Sequence, residues 1–231
     1  MHALELDGVA KSFTMHLQGG LRLPVLRGVS FAVAPGQCLA LTGPSGAGKS
    51  SILKLIYGNY RCDAGRILVR DDSDTVDVAE APPRRILSLR RRALGYVTQF
   101  LRAVPRVSAL DIVAEPLTMQ GTPREAATAR AADLLRRFNV PERLWSLPPA
   151  TFSGGEQQRI NLARGLLPEH PILLLDEPTA SLDAENRAVV VELVRERKAH
   201  GATIVAIVHD ESVRDEIADA TVDVTQFATA A

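Results

Sequence analysis

The chain has 231 residues, 46% of them hydrophobic, enough for one domain with a sizeable core and room for an inserted subdomain. Lys+Arg 27 balances Asp+Glu 27, so charge gives no reason to expect a nucleic acid or an anionic membrane as partner. No apolar run is long enough to span a bilayer, Met1-His2-Ala3-Leu4-Glu5 lacks a signal-peptide pattern, and Cys38 and Cys62 are too few for a disulfide framework or a zinc site, so a soluble, reducing, cytoplasmic setting without direct membrane insertion is expected.

The first 33 residues predict β-structure. Ala3–Leu6 and Val25–Val33 read as strands, separated by a loop carrying Gly19-Gly20 and Pro24. Ala34-Pro35-Gly36 is a turn signal. Cys38–Thr42 then reads as a buried strand, with Cys38 a small core residue. Gly43-Pro44-Ser45-Gly46-Ala47-Gly48-Lys49-Ser50 follows and fits the phosphate-loop pattern G-x-x-x-x-G-K-[ST] at every fixed position. Ile52–Tyr57 begins a helix, so the strand–loop–helix context that this motif needs is present on both sides. A triphosphate needs many donors close together, and only backbone amides pack that densely. Glycines 43, 46 and 48 let the loop bend tightly, and the helix start favours an anion. In that pattern Lys49 places a cation on the β- and γ-phosphates, and Ser50 offers a hydroxyl to Mg2+. The plainer alternative is a Gly-rich turn that happens to precede a lysine.

Asp63-Ala64-Gly65 punctuates, and Arg66–Arg70 reads as another strand. Residues 71–83 are polar, end in Pro82-Pro83, and predict a surface loop. On a helix after Pro83, Ile86, Leu87 and Leu89 cannot all share a narrow stripe. Arg84, Arg85, Arg90, Arg91 and Arg92 form a basic cluster there, read as a solvated face in preference to a docking patch. Leu94–Thr98 is a strand candidate running into Gln99. From Phe100 to Leu166 the pattern is helical. One helix starts after Ser108, and a second runs from Pro123 to Phe138 with Ala127, Ala131, Leu134, Leu135 and Phe138 on one face. Ile172–Leu175 and Thr203–Val208 are strands, with a charged amphipathic helix over Asn186–His200 between them. The alternation implies a mostly parallel sheet covered on both faces. The tail from Phe227 to Ala231 has no assignable pattern.

Two further stretches carry chemistry. Ile172–Glu177 is a buried strand ending in two acids. Asp176 suits the Mg2+ shell, and Glu177 suits a general base that polarises the attacking water. Ser153-Gly154-Gly155-Glu156-Gln157-Gln158-Arg159 is a serine-capped helix start, and its paired glycines also make an anion site of bare amides.

Phosphate loop, Gln99, Ser-Gly-Gly-Glu, the Asp-Glu strand, Ser181-Leu182-Asp183 and His209 stand in the order found in ABC-type ATPase domains, and the chain resembles that family over nearly its whole length. The resemblance implies an α/β fold: a RecA-like parallel-sheet core (1–98 and 168–231), an N-terminal antiparallel β subdomain, and a helical subdomain (about 99–167), in a single domain over 1–231. It implies ATP and Mg2+ as ligands, with Gly43 through Ser51 lining the nucleotide. Phe13 matches the aromatic that stacks on adenine, Gln99 the glutamine that senses Mg2+ and water, and His209 the histidine that holds the γ-phosphate and positions the base. Ser153, Gly154, Gly155 and Glu156 belong to the signature that meets the γ-phosphate of ATP held by a second ABC subunit, a copy or a paralogue. Asp183 lies in the loop reaching across that interface. Phe152 and Glu156 depart from the commonest signature, which has Leu and Gln, without removing the donors.

Finer stretches, Ser12–Gln18 with Arg22–Leu26, Gln99–Leu110, Val140–Trp145 and Thr151–Arg159, resemble the L subunit of the carbon–phosphorus lyase system. That implies soluble phosphonate-lyase core subunits as partners, in a complex that joins a phosphonate to the ribose of a purine nucleotide triphosphate before a radical step. This chain would supply ATP hydrolysis alone, since it lacks the radical-cluster cysteines. The rival reading is a transporter ATPase of the lipoprotein-release or efflux type. Phe100, Leu101, Val104 and Val107 would then grip a membrane partner; the same residues also suit a helical-subdomain core. A non-catalytic ATP-gated scaffold is disfavoured by Glu177 and His209.

Overall fold

A computed structural model describes residues 2–15, 19–72, 74–101 and 105–228. Within these, strands β1 (Leu4–Met15), β2 (Leu21–Val33), β4 (Ala64–Asp71) and β5 (Asp74–Asp77) form an antiparallel sheet in the order β2-β1-β4-β5. Its buried face is built by Leu4, Leu6, Val9, Leu26, Val29, Val33, Ile67 and Val69. Here the strands run longer than the apolar pattern alone predicts. Pro24 lies inside β2, opposite Ser12, and not in a loop. Proline is tolerated there because β2 is an edge strand. The expected surface loop over 71–83 also contains β5, whose Val76 faces the core.

A second sheet is parallel throughout, in the order β6-β7-β8-β3-β9: β6 (Leu94–Val97), β7 (Ile172–Asp176), β8 (Thr203–Ile207), β3 (Cys38–Thr42) and β9 (Ala220–Asp223). Every residue of β7 and β8 is buried, as expected for strands covered on both faces. Alternate residues divide between two cores. Leu173, Leu175, Ile204 and Ala206 pack under α3 (Ala109–Met119), α4 (Arg124–Arg137), α5 (Gly154–Leu166) and α6 (Ala184–Ala199). Ile172, Leu174, Val205 and Ile207 face α1 (Lys49–Ile56) and the antiparallel sheet. The expected α/β arrangement, an antiparallel sheet beside a parallel one, is what the chain adopts. Cys38 is fully buried in β3, and burial pushes its thiol up to about 12.

Between β6 and β7 the described elements are helical. Ser108 caps α3 by accepting the Asp111 amide, and Phe138, at the end of α4, is fully buried. Alpha-helix α5 crosses β6 closely: Asn161 donates to the Thr98 carbonyl, and a methyl group on Gly165 would run into Val97. On α2 (Pro83–Arg92), Ile86 and Leu89 are buried and Leu87 is exposed. Its basic cluster is only partly a solvated face. Arg85 and Arg92 converge on the buried Asp71 at 3.2 and 2.7 Å, and Arg90 stacks 4.5 Å over the Tyr57 ring, while Arg84 and Arg91 stay exposed. Two of the stretches that carried the finer resemblance run through His16, Leu17, Gln18, Arg102, Ala103 and Val104, which lie outside the described residues, as do Met1 and the tail residues 229–231.

Candidate active site

Strand β3 delivers the chain into the phosphate loop, and three glycines take backbone angles that other residues resist. Gly43, Gly46 and Gly48 have φ of 125°, 84° and 99°. At Gly48 space is also short, since a Cβ would lie 2.8 Å from Leu26 Cδ2. Helix α1 then begins on Gly48 with no side-chain cap and no acid in its first turn. By contrast α3, α5, α6 and α7 (Glu211–Ile217) are each capped by their own Ser108, Ser153, Asp183 or Asp210. The first amides of α1 therefore lack a local acceptor, and the helix dipole adds positive potential in front of them. Lys49 is 6% exposed, and its Nζ donates to the Gly43 and Pro44 carbonyls at 2.7 and 2.9 Å. That leaves one of its three protons for an anion. Pro44, Ser45, Ala47 and Ser51 lie in the same loop and first turn, so the cradle fits a polyphosphate.

Beside the loop, Ser50 Oγ donates to Asp176 Oδ1 at 2.9 Å, and the Tyr96 hydroxyl donates to Asp176 Oδ2 at 3.0 Å. A hydroxyl and a carboxylate at the edge of a phosphate cradle form an oxygen donor set that suits Mg2+. Tyr96 escaped the motif reading, because the pairing of β6 with β7 is what brings it there.

One residue on, Glu177 leaves β7 at φ 54°, a left-handed angle that costs a non-glycine residue about 1–2 kcal/mol. Its amide still bonds the Ile207 carbonyl at 3.1 Å. The turn aims the carboxylate between two partners. Gln99 Nε2 donates to Oε2 at 3.0 Å, and His209 Nε2 lies 3.0 Å from Oε1. Gln99, expected at the metal, thus meets the acid; among the described residues it makes no bond to Ser50 or Asp176.

The signature stands apart. Ser153 and Glu156 close a capping box on α5: the Ser153 hydroxyl donates to Glu156 Oε2 at 2.7 Å and accepts the Glu156 amide at 3.3 Å. The Ser153 hydroxyl, with the Ser153 amide, holds the Glu156 carboxyl below its usual range. No hydrogen bond or ion pair among the described residues joins Ser153, Gly154, Gly155 or Glu156 to the phosphate loop. Asp183 caps α6 through the Asn186 amide at 2.9 Å, which holds its carboxyl low. Phe13 meets Tyr60 edge-on at 5.1 Å, with Lys11 Nζ 5.2 Å from its ring centre. Two residues away, Lys11 pairs with Leu26, the side chain against Gly48, which sets the Phe13 strand beside the loop.

Comparison with known proteins agrees with this geometry. A family profile described as "ABC transporter" matches residues 26–180. The lipoprotein-releasing system ATP-binding protein LolD of Maricaulis maris is 38% identical over 91% of this chain and 89% of that protein. The macrolide export ATP-binding/permease protein MacB of Sodalis glossinidius is 33% identical over 91% of this chain, which spans 31% of that longer protein. Among solved structures, a dimeric ATP-binding cassette in a post-hydrolysis state with ADP and Pi superposes with a TM-score of 0.85 at 27% identity, covering 96% of this chain and 95% of that one. The carbon–phosphorus lyase expectation, with its soluble lyase subunits as partners, finds no support in these relatives. The stretches that suggested it perform local structural work: Ser153 and Glu156 cap a helix, and Trp145 donates to the Val140 carbonyl in a turn.

Proposed function

This chain belongs to the ABC transporter family, and from that premise we propose that it is the ATPase subunit of a transporter of the lipoprotein-release or export type. It is an ABC-type ATPase that binds ATP. The observation that carries the catalytic reading is the bracket Gln99–Glu177–His209 beside the Ser50–Asp176 pair.

In this reading the free amides of α1 and the third proton of Lys49 hold the β- and γ-phosphates, and Phe13 offers its ring to the base. Ser50 and Asp176 would hold Mg2+, with Gln99 alongside. Bound Mg2+ supplies a positive charge that offsets the charge on the phosphate oxygens. Glu177 takes the proton of the attacking water on a carboxylate oxygen. His209 and Gln99 fix the direction of that carboxylate from its two sides, and His209 also reaches for the γ-phosphate. Ser153, Gly154 and Gly155 serve the ATP of a second ABC subunit, so a complete site needs two chains. The dimeric cassettes among the structural neighbours support that arrangement. To reach the neighbour's phosphate, the Ser153 hydroxyl must turn away from Glu156.

The partner surface we favour is a groove of about 550 Å³ between α1, α2, β6, α3 and α5. Leu87 and Met119, 61% and 63% exposed, lie on its rim with Arg91. Phe100, directly after Gln99, is 73% exposed, whereas Leu101 and Val107 pack on the helical core. No described helix is long and apolar enough to cross a membrane, so a membrane partner would supply the path. Affinity purification from detergent-solubilised cells tests the reading. Recovery with a multispanning permease supports it, and recovery only with soluble phosphonate enzymes overturns it.

A further inference from the structure

Asp176 is held from both sides. Ser50 engages Oδ1 and Tyr96 engages Oδ2. The terminal torsion of a carboxylate is soft, with a broad, roughly two-fold well, so a single donor fixes it poorly. Two donors on opposite oxygens remove that freedom. We propose that Tyr96 is a positioning residue for the divalent cation: its hydroxyl pins Oδ2 of Asp176 so that Oδ1 stays turned toward Ser50. The proposal rests on the ATPase reading above.

The fold places Tyr96 for this. In the parallel register Tyr96 stands opposite Leu174, two residues before Asp176 on the neighbouring strand. Leu174 and Asp176 point to the same side of β7, the side that α1 and Ser50 cover. A long side chain at this position reaches the diagonal neighbour. Phenylalanine would fill the same space and donate nothing. The Tyr96 ring is backed by Tyr57, 5.1 Å away at 56°, and Arg90 stacks 4.5 Å over Tyr57. Tyr57, Arg90 and Tyr96 also line the groove assigned to the membrane partner, so the residue that orients the acid is one that the partner's side can press upon.

The test titrates Mg2+ at fixed ATP and reads thermal stabilisation and turnover in parallel, for the wild-type chain and for Tyr96→Phe. For Tyr96→Phe the half-saturating Mg2+ concentration rises about threefold to tenfold, as loss of one hydrogen bond implies. ATP binding in EDTA is unchanged, and turnover recovers at saturating Mg2+. Tyr57→Phe, which removes a hydroxyl from the backing ring, keeps the wild-type Mg2+ profile. Identical profiles for wild type and Tyr96→Phe, or equal shifts in both variants, overturn the positioning role and leave the ATPase reading standing. A wild-type chain with no Mg2+-dependent stabilisation would instead remove the ATPase reading itself.

Discussion

Replacing Glu177 with glutamine separates the chemistry of the site from its architecture. The amide has the shape of the carboxylate, and the backbone keeps the same φ of 54°. It offers an oxygen to one neighbour and an NH2 to the other, and the Gln99 amide can reverse to match. The bracket of two 3.0 Å contacts therefore survives, and stability should change by no more than about 0.5 kcal/mol. What disappears is a base of the right strength. General-base assistance is worth roughly 10²–10⁴ in rate, or about 2.7–5.4 kcal/mol of barrier. Removing a negative charge beside the γ-phosphate also relieves repulsion, so ATP should bind at least as tightly. The assay pairs steady-state ATPase with equilibrium binding of ATP and size-exclusion chromatography. Glu177→Gln should bind ATP, accumulate as an ATP-dependent dimer, and turn over at no more than about a hundredth of the wild-type rate. Turnover within about threefold of wild type would remove Glu177 from the base role, because nothing in the amide can accept the water's proton.

Four further outcomes follow from the same geometry. Lys49→Ala should abolish ATP binding and strand two loop carbonyls that the ammonium now satisfies, lowering stability by about 1–3 kcal/mol in urea unfolding. Mixing Lys49→Ala chains with Ser153→Arg chains, each inactive alone, should restore turnover, since one complete site re-forms at the mixed interface; an inert mixture would contradict a site shared between two copies. Gly48→Ala should fail to bind ATP, and adding Leu26→Ala should remove the 2.8 Å clash while the φ of 99° keeps the loop impaired, a difference readable by thermal unfolding. Glu156, Asp183 and Asp210 are held low, by the Ser153 hydroxyl, the Asn186 amide and the Ser212 hydroxyl respectively. A depressed folded value means that their contribution is present above the ordinary carboxylate range near about 4 and is lost as pH falls through the lower folded values. Urea midpoints should drop as pH falls below about 4, and a combined Asp183→Asn, Asp210→Asn variant should show a shallower drop there.

The parts of the site that were legible in the sequence are those in which neighbours along the chain do the work. Gly43 to Ser50 carries its own turn, cation and helix start, and Asp176-Glu177 closes an unbroken apolar strand. What stayed hidden depends on which strands lie side by side. Tyr96 reaches Asp176 only because β6 pairs with β7 in one register. The direct contact of Gln99 with Glu177 was likewise invisible, because that acid turns out of its strand at a left-handed angle that sequence does not announce. Pro24 looked like a strand breaker because position within a sheet, edge or centre, is invisible in a one-dimensional pattern. β5 was missed because its four residues, Asp74–Asp77, carry a single buried valine. Of the stretches that carried the lyase resemblance, Thr151–Arg159 caps a helix and Val140–Trp145 closes a turn, local tasks that do not specify a partner.

The tight crossing at Gly165 gives α5 a second meaning. The helix is 13 residues long, a rod of about 20 Å. One end is the Ser153 cap, proposed above to serve a second subunit; the other carries Arg164 and Gly165 on the wall of the groove. With Val97 where a methyl group on residue 165 would sit, α5 lies against β6 at a distance that only glycine allows. One rod thus joins the groove proposed for a partner to the tip proposed for a neighbour's nucleotide, and its close seat on β6 depends on a residue defined by having no side chain at all.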